Sequence, residues 1–145
     1  MVVYPDTSFL FSLYGDDANS PRAINWIQRQ GMPLTLSAFN EYQLANALRF
    51  AEYRKAIPKG AAAQYLAGFE SDKASGRIVV KVCNLAAVID VAKRLSTTHT
   101  LTSGHRGFDI LHVACAIVVG ATIFLTFDSN QQKLAKAEAI ALPDL

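Results

Sequence analysis

The chain has 145 residues, enough to bury a sizeable core, and we predict one domain over residues 1–145. Apolar residues make up 51% of the chain and charged residues 18%, which favours a globular fold and excludes intrinsic disorder. The formal charge of +2 does not by itself indicate a nucleic-acid-binding protein. Cys83 and Cys115 stand alone among apolar residues, so we interpret them as buried thiols rather than zinc ligands or a disulfide.

The sequence gives no sign of a membrane protein. Its first residues include neither a basic segment nor a long apolar stretch, so we expect no signal peptide and predict a cytoplasmic location. Residues 110–127 carry no charge over 18 positions, which is close to the length of a membrane-spanning helix. His112 and Gly120 interrupt this stretch, and its second half has the composition of a strand. We therefore predict a buried helix followed by a buried strand.

The predicted elements alternate between strands and helices. In chain order they are a strand at 2–4, a helix at 20–30, a strand at 34–36, helices at 38–56 and 59–73, a strand at 77–82, a helix that Asn84 caps and that runs to 95, a polar loop through Gly104 and Gly107, a helix at 108–119, a strand at 122–126, a helix at 129–137 and a strand at 139–142. This alternation predicts a three-layer α/β/α domain with a mainly parallel sheet of about five strands.

Four acidic residues have unusually apolar surroundings. Asp6 and Asp128 each follow a predicted buried strand at the point where a helix is about to begin, and this edge is where open α/β sheets bind ligands. Glu41 and Asp109 lie in the first turns of two predicted helices. Each is on the same face as the apolar residues of its helix, so we expect both side chains to point along the core-facing side. If these four acids are left out, 14 basic residues face 8 acidic ones (12 less 4), a balance that suits a polyanionic partner.

Two explanations of these acids remain open. Asp6, Asp109 and Asp128 could each be an ordinary helix N-cap, worth about 1 kcal/mol. Alternatively, the four acids meet in one pocket, where their mutual repulsion would require a bound cation. Carboxylate oxygens select hard cations, so we predict Mg²⁺ or Mn²⁺, which can activate water and clamp a phosphodiester.

The three histidines do not compete with the acids as metal ligands. We expect His99 and His105 to be solvated in the polar loop, and His112 to be a hydrogen-bonded core residue. A less favoured alternative is that His112 supports Asp109.

Four motifs in order resemble those of PIN-domain ribonucleases, and among these the small VapC-type toxins of bacterial toxin–antitoxin pairs. The resemblance covers essentially the whole chain. The motifs are Asp6-Thr7-Ser8; Glu41 on a helix after a short strand; Arg106-Gly107-Phe108-Asp109, which continues through His112 to Ala114; and Leu125-Thr126-Phe127-Asp128.

The resemblance implies a site, a sheet order and partners. Asp6, Glu41, Asp109 and Asp128 would hold the metal, Thr7 or Ser8 would orient the carboxylates, and Arg106 would meet phosphate. The strand order would be 3-2-1-4-5. The function would be metal-dependent endoribonuclease activity on single-stranded or looped RNA, kept silent by a cognate antitoxin that places a basic residue or helix in the acidic cleft.

Alternatives and further partners are also open. An inactive PIN-like RNA-binding or scaffold module is one alternative. A haloacid-dehalogenase-like phosphohydrolase with Asp6 as nucleophile is less favoured, because the residue two positions on is Ser8 rather than a second acid. Apolar residues outside the core stripes predict a homodimer face, formed by Tyr42, Phe50, Tyr53 and Tyr65. Basic residues expected to contact RNA are Arg49, Arg54, Lys55 and Arg94.

Overall fold

The computed structural model describes residues 1–145 and contains four strands and eight α-helices. In chain order the elements are β1 (Val3–Pro5), α1 (Thr7–Tyr14), α2 (Ser20–Gln30), β2 (Leu34–Leu36), α3 (Ala38–Tyr53), α4 (Ala61–Ala74), β3 (Ile78–Val80), α5 (Leu85–Leu95), α6 (Leu101–Ser103), α7 (Gly107–Val118), β4 (Ile123–Leu125) and α8 (Ser129–Ala137). Most predicted elements lie within a few residues of these bounds, and the helix that follows Asp6 is α1.

The strands form two parallel pairs that lie side by side. β1 pairs with β4, so that Pro5 lies beside Leu125, and β2 pairs with β3. β1 and β2 pack against each other without a regular hydrogen-bonded ladder. These neighbours agree with the expected order of strands 3, 2, 1 and 4.

The predicted fifth strand is wrong as a full strand. Only Ala141 forms a bridge, to Ile123. The chain leaves α8 in a tight turn in which Ala139 has a φ of 59° and the amide of Ile140 donates to the carbonyl of Ala135. This turn leaves a single residue aligned with β4, so the continuous five-stranded sheet is not formed.

The core consists of two layers, one on each face of the sheet. Because side chains alternate along a strand, Val3 and Leu125 face one layer, whereas Tyr4 and Phe124 face the other. The first layer packs under α1, α2, α3 and α4, and the second under α5, α7 and α8. This confirms the three-layer α/β/α architecture.

The N-terminus of α3 is fixed to β1 by a buried polar network. The Asn40 side-chain oxygen accepts hydrogen bonds from the Ser37 amide at 2.8 Å and the Tyr4 hydroxyl at 2.7 Å. The Asn40 amide group donates to the carbonyl of Pro5 at 2.8 Å. All polar groups of the Asn40 side chain therefore serve to orient α3, and this sets the direction of the residues that follow it.

The predicted polar loop is wrong over residues 96–103. α5 continues through a π-helical stretch, Ser96–Thr100, into α6 before Gly104 ends the helix at a φ of 68°. The Thr97 and Thr98 hydroxyls donate to carbonyls four residues earlier, which lets these polar residues remain in a helix. The expectation that His99 and His105 are solvated is wrong too, because His105 is buried and His99 lies beside Glu138.

The uncharged stretch at residues 110–127 forms most of α7 and all of β4, as predicted. No helix is both long enough and apolar enough to cross a bilayer. Both cysteines are free thiols; Cys115 is buried, whereas Cys83 is half-buried.

Candidate active site

A cavity of about 480 Å³ opens at the edge where the parallel strands β1 and β4 end. It is lined by residues from the starts of α1, α7 and α8 and from one side of α3. The amide of Asp6 donates to the carbonyl of Leu125, which holds the two strand ends in register at this edge. Three helix N-termini therefore point towards one cavity, an arrangement whose backbone dipoles favour anionic ligands.

Asp6 lies at the base of this arrangement and is completely buried. Its Oδ1 accepts from the Phe9 amide at 2.9 Å and the Ser8 hydroxyl at 2.7 Å. Its Oδ2 accepts from Thr126 at 2.6 Å and again from Ser8 at 2.9 Å. Burial raises the pKa of Asp6 to about 6, although these hydrogen bonds oppose the increase. The Ser8 hydroxyl has a single proton to share between the two oxygens, so Asp6 accepts three hydrogen bonds and keeps about one of its four lone-pair sites.

Asp109 and Asp128 are the two carboxylates that line the cavity. Asp128 caps α8 by accepting from the Gln131 amide at 2.9 Å, so the N-cap explanation that was left open holds for this residue. The Gln131 side chain donates to Asp109 at 3.2 Å and thereby connects the two acids. Arg106 approaches Asp109 at 3.3 Å, but its side chain is 80% exposed, so this ion pair is weak and Arg106 is free to meet a ligand.

Glu41 does not share this cavity, so the prediction that all four acids meet in one pocket is wrong for this residue. Its Oε2 lies 2.6 Å from Nζ of Lys73 on α4, outside the residues that line the cavity. This hydrogen bond raises the pKa of Lys73. Glu41 lies on the side of α3 that faces α4, beside the core stripe of Leu44 and Leu48 rather than towards the sheet edge.

Gln43 is the α3 residue that reaches the site instead. Its Oε1 accepts from the Thr7 hydroxyl at 2.6 Å and contacts Nε2 of His112. The Thr7 hydroxyl is also 3.1 Å from the same histidine nitrogen. Burial lowers the pKa of His112 to about 4, so the imidazole is neutral at pH 7. His112 is thus the hydrogen-bonded core residue that was predicted, but it supports Gln43 rather than Asp109.

Sequence reasoning restricted to acidic residues missed Gln43. The residues at i+3, i+4 and i+7 from Gln43 are Asn46, Ala47 and Phe50, and all of them line the cavity. They form a side of α3 distinct from its buried stripe.

The sequence profile of the PIN domain matches residues 3–137, which is nearly the entire chain. The chain belongs to the PIN domain family. No curated protein sequence is significantly similar to this PIN domain. The match confirms the family that the four motifs indicated, and it overturns the phosphohydrolase alternative, which also required the completely buried Asp6 carboxylate to act as a nucleophile.

Solved structures share the fold of this PIN domain at low sequence identity. VapC20 of Mycobacterium tuberculosis, described as a toxin that cleaves the sarcin–ricin loop, is 17% identical with a TM-score of 0.67, over 90% of this chain and 93% of its own. PAE2754 of Pyrobaculum aerophilum is 21% identical with a TM-score of 0.64, over 98% of this chain and 83% of its own. These similarities establish a shared fold.

PIN domains generally depend on divalent metal ions. The side chains of this cavity provide some, but not all, of the ligands that such an ion requires. No group of three or more His, Cys, Asp or Glu side chains is close enough together to hold a metal ion. The predicted four-carboxylate cage is therefore not formed. Asp109 and Asp128 nevertheless present oxygen ligands to an open cavity. Magnesium keeps several waters and is often bound through one or two carboxylates, so these residues fit a hard, largely hydrated cation.

Proposed function

We propose that this PIN domain is a metal-dependent endoribonuclease that cuts single-stranded or looped RNA. The observation that carries the proposal is that Asp109 and Asp128 line one open cavity at the carboxyl edge of the sheet. Both acids stand at the start of a helix, where backbone dipoles also favour a phosphate. The site thus offers ligands for a hard cation, and the helix N-termini offset part of the repulsion between these carboxylates and a phosphate.

Different residues of the site would bind the metal, position the carboxylates and contact the phosphate. Asp109 and Asp128 would hold Mg²⁺ or Mn²⁺, which when bound lowers the pKa of a water and neutralises phosphate charge. Asp6 acts from behind the cavity, because it fixes Ser8 and Thr126, and Thr126 in turn accepts from the Asp128 amide at 2.9 Å. The exposed Arg106 guanidinium is placed to contact a phosphate next to the scissile bond.

Exposed aromatic rings at the rim favour a single-stranded substrate. Tyr42 and Phe108 line the cavity and are each about half exposed or more. Unpaired bases stack on such rings, and each stack is worth about 1–3 kcal/mol. The bases of a rigid duplex are already stacked on each other, so these rings would favour RNA loops and single strands.

The same chain would act as the toxin of a toxin–antitoxin pair. The support is its shared fold with VapC20, which is described as a toxin, and the acidic cavity, which suits a basic residue or helix from a cognate antitoxin. We place its action in the cytoplasm, where its RNA substrate is. Co-expression tests this: an antitoxin encoded beside the chain should restore growth that the chain alone arrests, and continued growth with the chain alone would contradict it.

A homodimer is also proposed, through exposed aromatic residues of α3. Phe50 and Tyr53 stack at 6.1 Å and are both exposed, and Arg54 lies over the Phe50 ring. Tyr65, which was expected on the same face, instead packs against the core.

Cleavage of a labelled RNA by the purified chain tests the nuclease proposal. We expect activity with Mn²⁺ or Mg²⁺, none with EDTA, and a loss of at least about a hundredfold in Asp109→Asn and Asp128→Asn. Asp90→Asn is the matched control, since Asp90 is exposed on α5 and lies outside the cavity. Undiminished cleavage by both cavity variants would show that the activity comes from elsewhere.

A second candidate is an RNA-binding module without nuclease activity. It is favoured by the absence of any cluster of three metal-ligating side chains. The same assay separates the two functions, because such a module binds RNA but leaves it intact in Mn²⁺.

A further inference from the structure

Gln43 is held in the cavity by residues from two other helices. Thr7 on α1 donates to its Oε1 at 2.6 Å, and His112 on α7 contacts the same oxygen. Three elements that are far apart in sequence thus meet at one neutral amide. Gln43 is only partly buried and lines the same cavity as Asp109 and Asp128.

The hydrogen bonds determine which end of the Gln43 amide remains free to bind a ligand. Nδ1 of His112 is buried and has no partner, so a proton on Nδ1 would have no acceptor. The ring proton therefore belongs on Nε2, where it donates to Oε1 of Gln43 together with the Thr7 hydroxyl. With Oε1 occupied by two donors, Nε2 of Gln43 is turned away from them, and it has no hydrogen-bond partner within the protein.

We propose that Gln43 is a substrate-binding residue, whose Nε2 donates a hydrogen bond to a non-bridging oxygen of the RNA phosphodiester in this cavity. The inference rests on the proposed function, because it assumes that RNA occupies the cavity. A phosphate here meets two carboxylates, Asp109 and Asp128, and needs donors to offset their repulsion. A neutral amide at position 43 supplies a donor and keeps the number of negative charges at two.

The chemistry of the amide explains why glutamate would behave differently at this position. In the absence of metal, a third carboxylate would repel the phosphate and remove a donor. In the presence of Mn²⁺, the same carboxylate would add an anionic oxygen ligand to Asp109 and Asp128. Gln43→Glu is therefore expected to change RNA binding and metal binding in opposite directions.

The test measures binding of a fluorescently labelled single-stranded oligoribonucleotide in EDTA, where no cleavage occurs. We expect Gln43→Ala to bind about tenfold more weakly than the unaltered chain, as for the loss of one hydrogen bond to a charged group. Gln43→Glu should bind more weakly still. In calorimetry with Mn²⁺ alone, Gln43→Glu should bind the ion at least about tenfold more tightly than the unaltered chain.

Gln64→Glu provides the charge-matched control, since Gln64 is exposed on α4 and lies outside the cavity. It should match the unaltered chain in both measurements. Thermal unfolding of each variant separates binding from stability. Equal RNA affinity in Gln43→Ala, with or without a lower melting temperature, would overturn the proposal and leave the nuclease function standing. RNA binding without cleavage in Mn²⁺ would overturn the nuclease function alone, and no RNA binding by the unaltered chain would overturn both.

Discussion

Two buried groups at the site should make opposite contributions to stability as pH changes. Asp6 has its pKa raised from 3.8 to about 6, and His112 has its pKa lowered from 6.5 to about 4, both because burial disfavours the charged form. Between these values the folded chain carries a neutral Asp6 and a neutral His112, whereas the unfolded chain carries both groups charged.

The signs follow from the number of bound protons in each state. Asp6 binds its proton more tightly when folded, so its contribution is complete below about pH 4 and is lost as pH rises through about 6. His112 binds its proton less tightly when folded, so its contribution is complete above about pH 6.5 and is lost as pH falls through about 4. For each group, the difference between its folded and unfolded pKa corresponds to about 3 kcal/mol of stability. The two groups change the free energy of unfolding in opposite directions as pH rises, so their contributions to its pH dependence nearly cancel in the unaltered chain.

Variants at the two positions separate these contributions. We expect the free energy of unfolding of the unaltered chain, relative to Asp6→Asn, to fall by about 3 kcal/mol between about pH 4 and pH 7. Relative to His112→Gln it should rise by a similar amount. Urea unfolding followed by circular dichroism in EDTA measures both differences. A difference that does not change with pH would show that the corresponding side chain titrates normally and is not desolvated.

Three further outcomes follow from the packing. Glu41→Gln should lower the free energy of unfolding by about 1 kcal/mol or less in urea titrations, because the Glu41 and Lys73 side chains are each 30% exposed. The same variant should bind Mn²⁺ in calorimetry as tightly as the unaltered chain. A complete loss of Mn²⁺ binding would show that Glu41 is a metal ligand after all. Phe9→Ala should cost about 3–5 kcal/mol in the same unfolding assay, because Phe9 is fully buried against Trp26. A cost below about 1 kcal/mol would contradict that packing. A Phe50→Ser, Tyr53→Ser double variant should be monomeric by light scattering, whereas the unaltered chain should be dimeric. If the double variant and the unaltered chain have the same molar mass, α3 does not form the dimer interface.

Features determined by local sequence were predictable. Asp128 caps α8 from within a strand–cap–helix pattern, and the structure places that helix at the predicted residues. Asn84 likewise caps α5 by accepting from the amide of Ala87. In such segments the apolar pattern, the cap and the helix end agree, so the sequence alone specified them.

Features that depend on tertiary contacts were not predictable in the same way. The partner of Glu41 is Lys73, which lies on another helix and reaches Glu41 only because α3 packs against α4. Asp6 was expected beside the other acids, but it is completely buried behind the cavity, where Ser8 and Thr126 donate to its carboxylate. Gln43 carries no charge and so gave no electrostatic signal. Its role became visible only when Thr7 and His112 were found beside it.

The central claim is that Asp109 and Asp128 together hold a hard cation at the sheet edge. Anomalous diffraction from crystals of the chain soaked in Mn²⁺ tests it most directly, because the signal locates the ion without reference to activity. We predict one peak in the cavity, within about 2.0–2.6 Å of carboxylate oxygens of both residues. No peak at millimolar Mn²⁺, or a peak at Glu41 instead, would contradict the account.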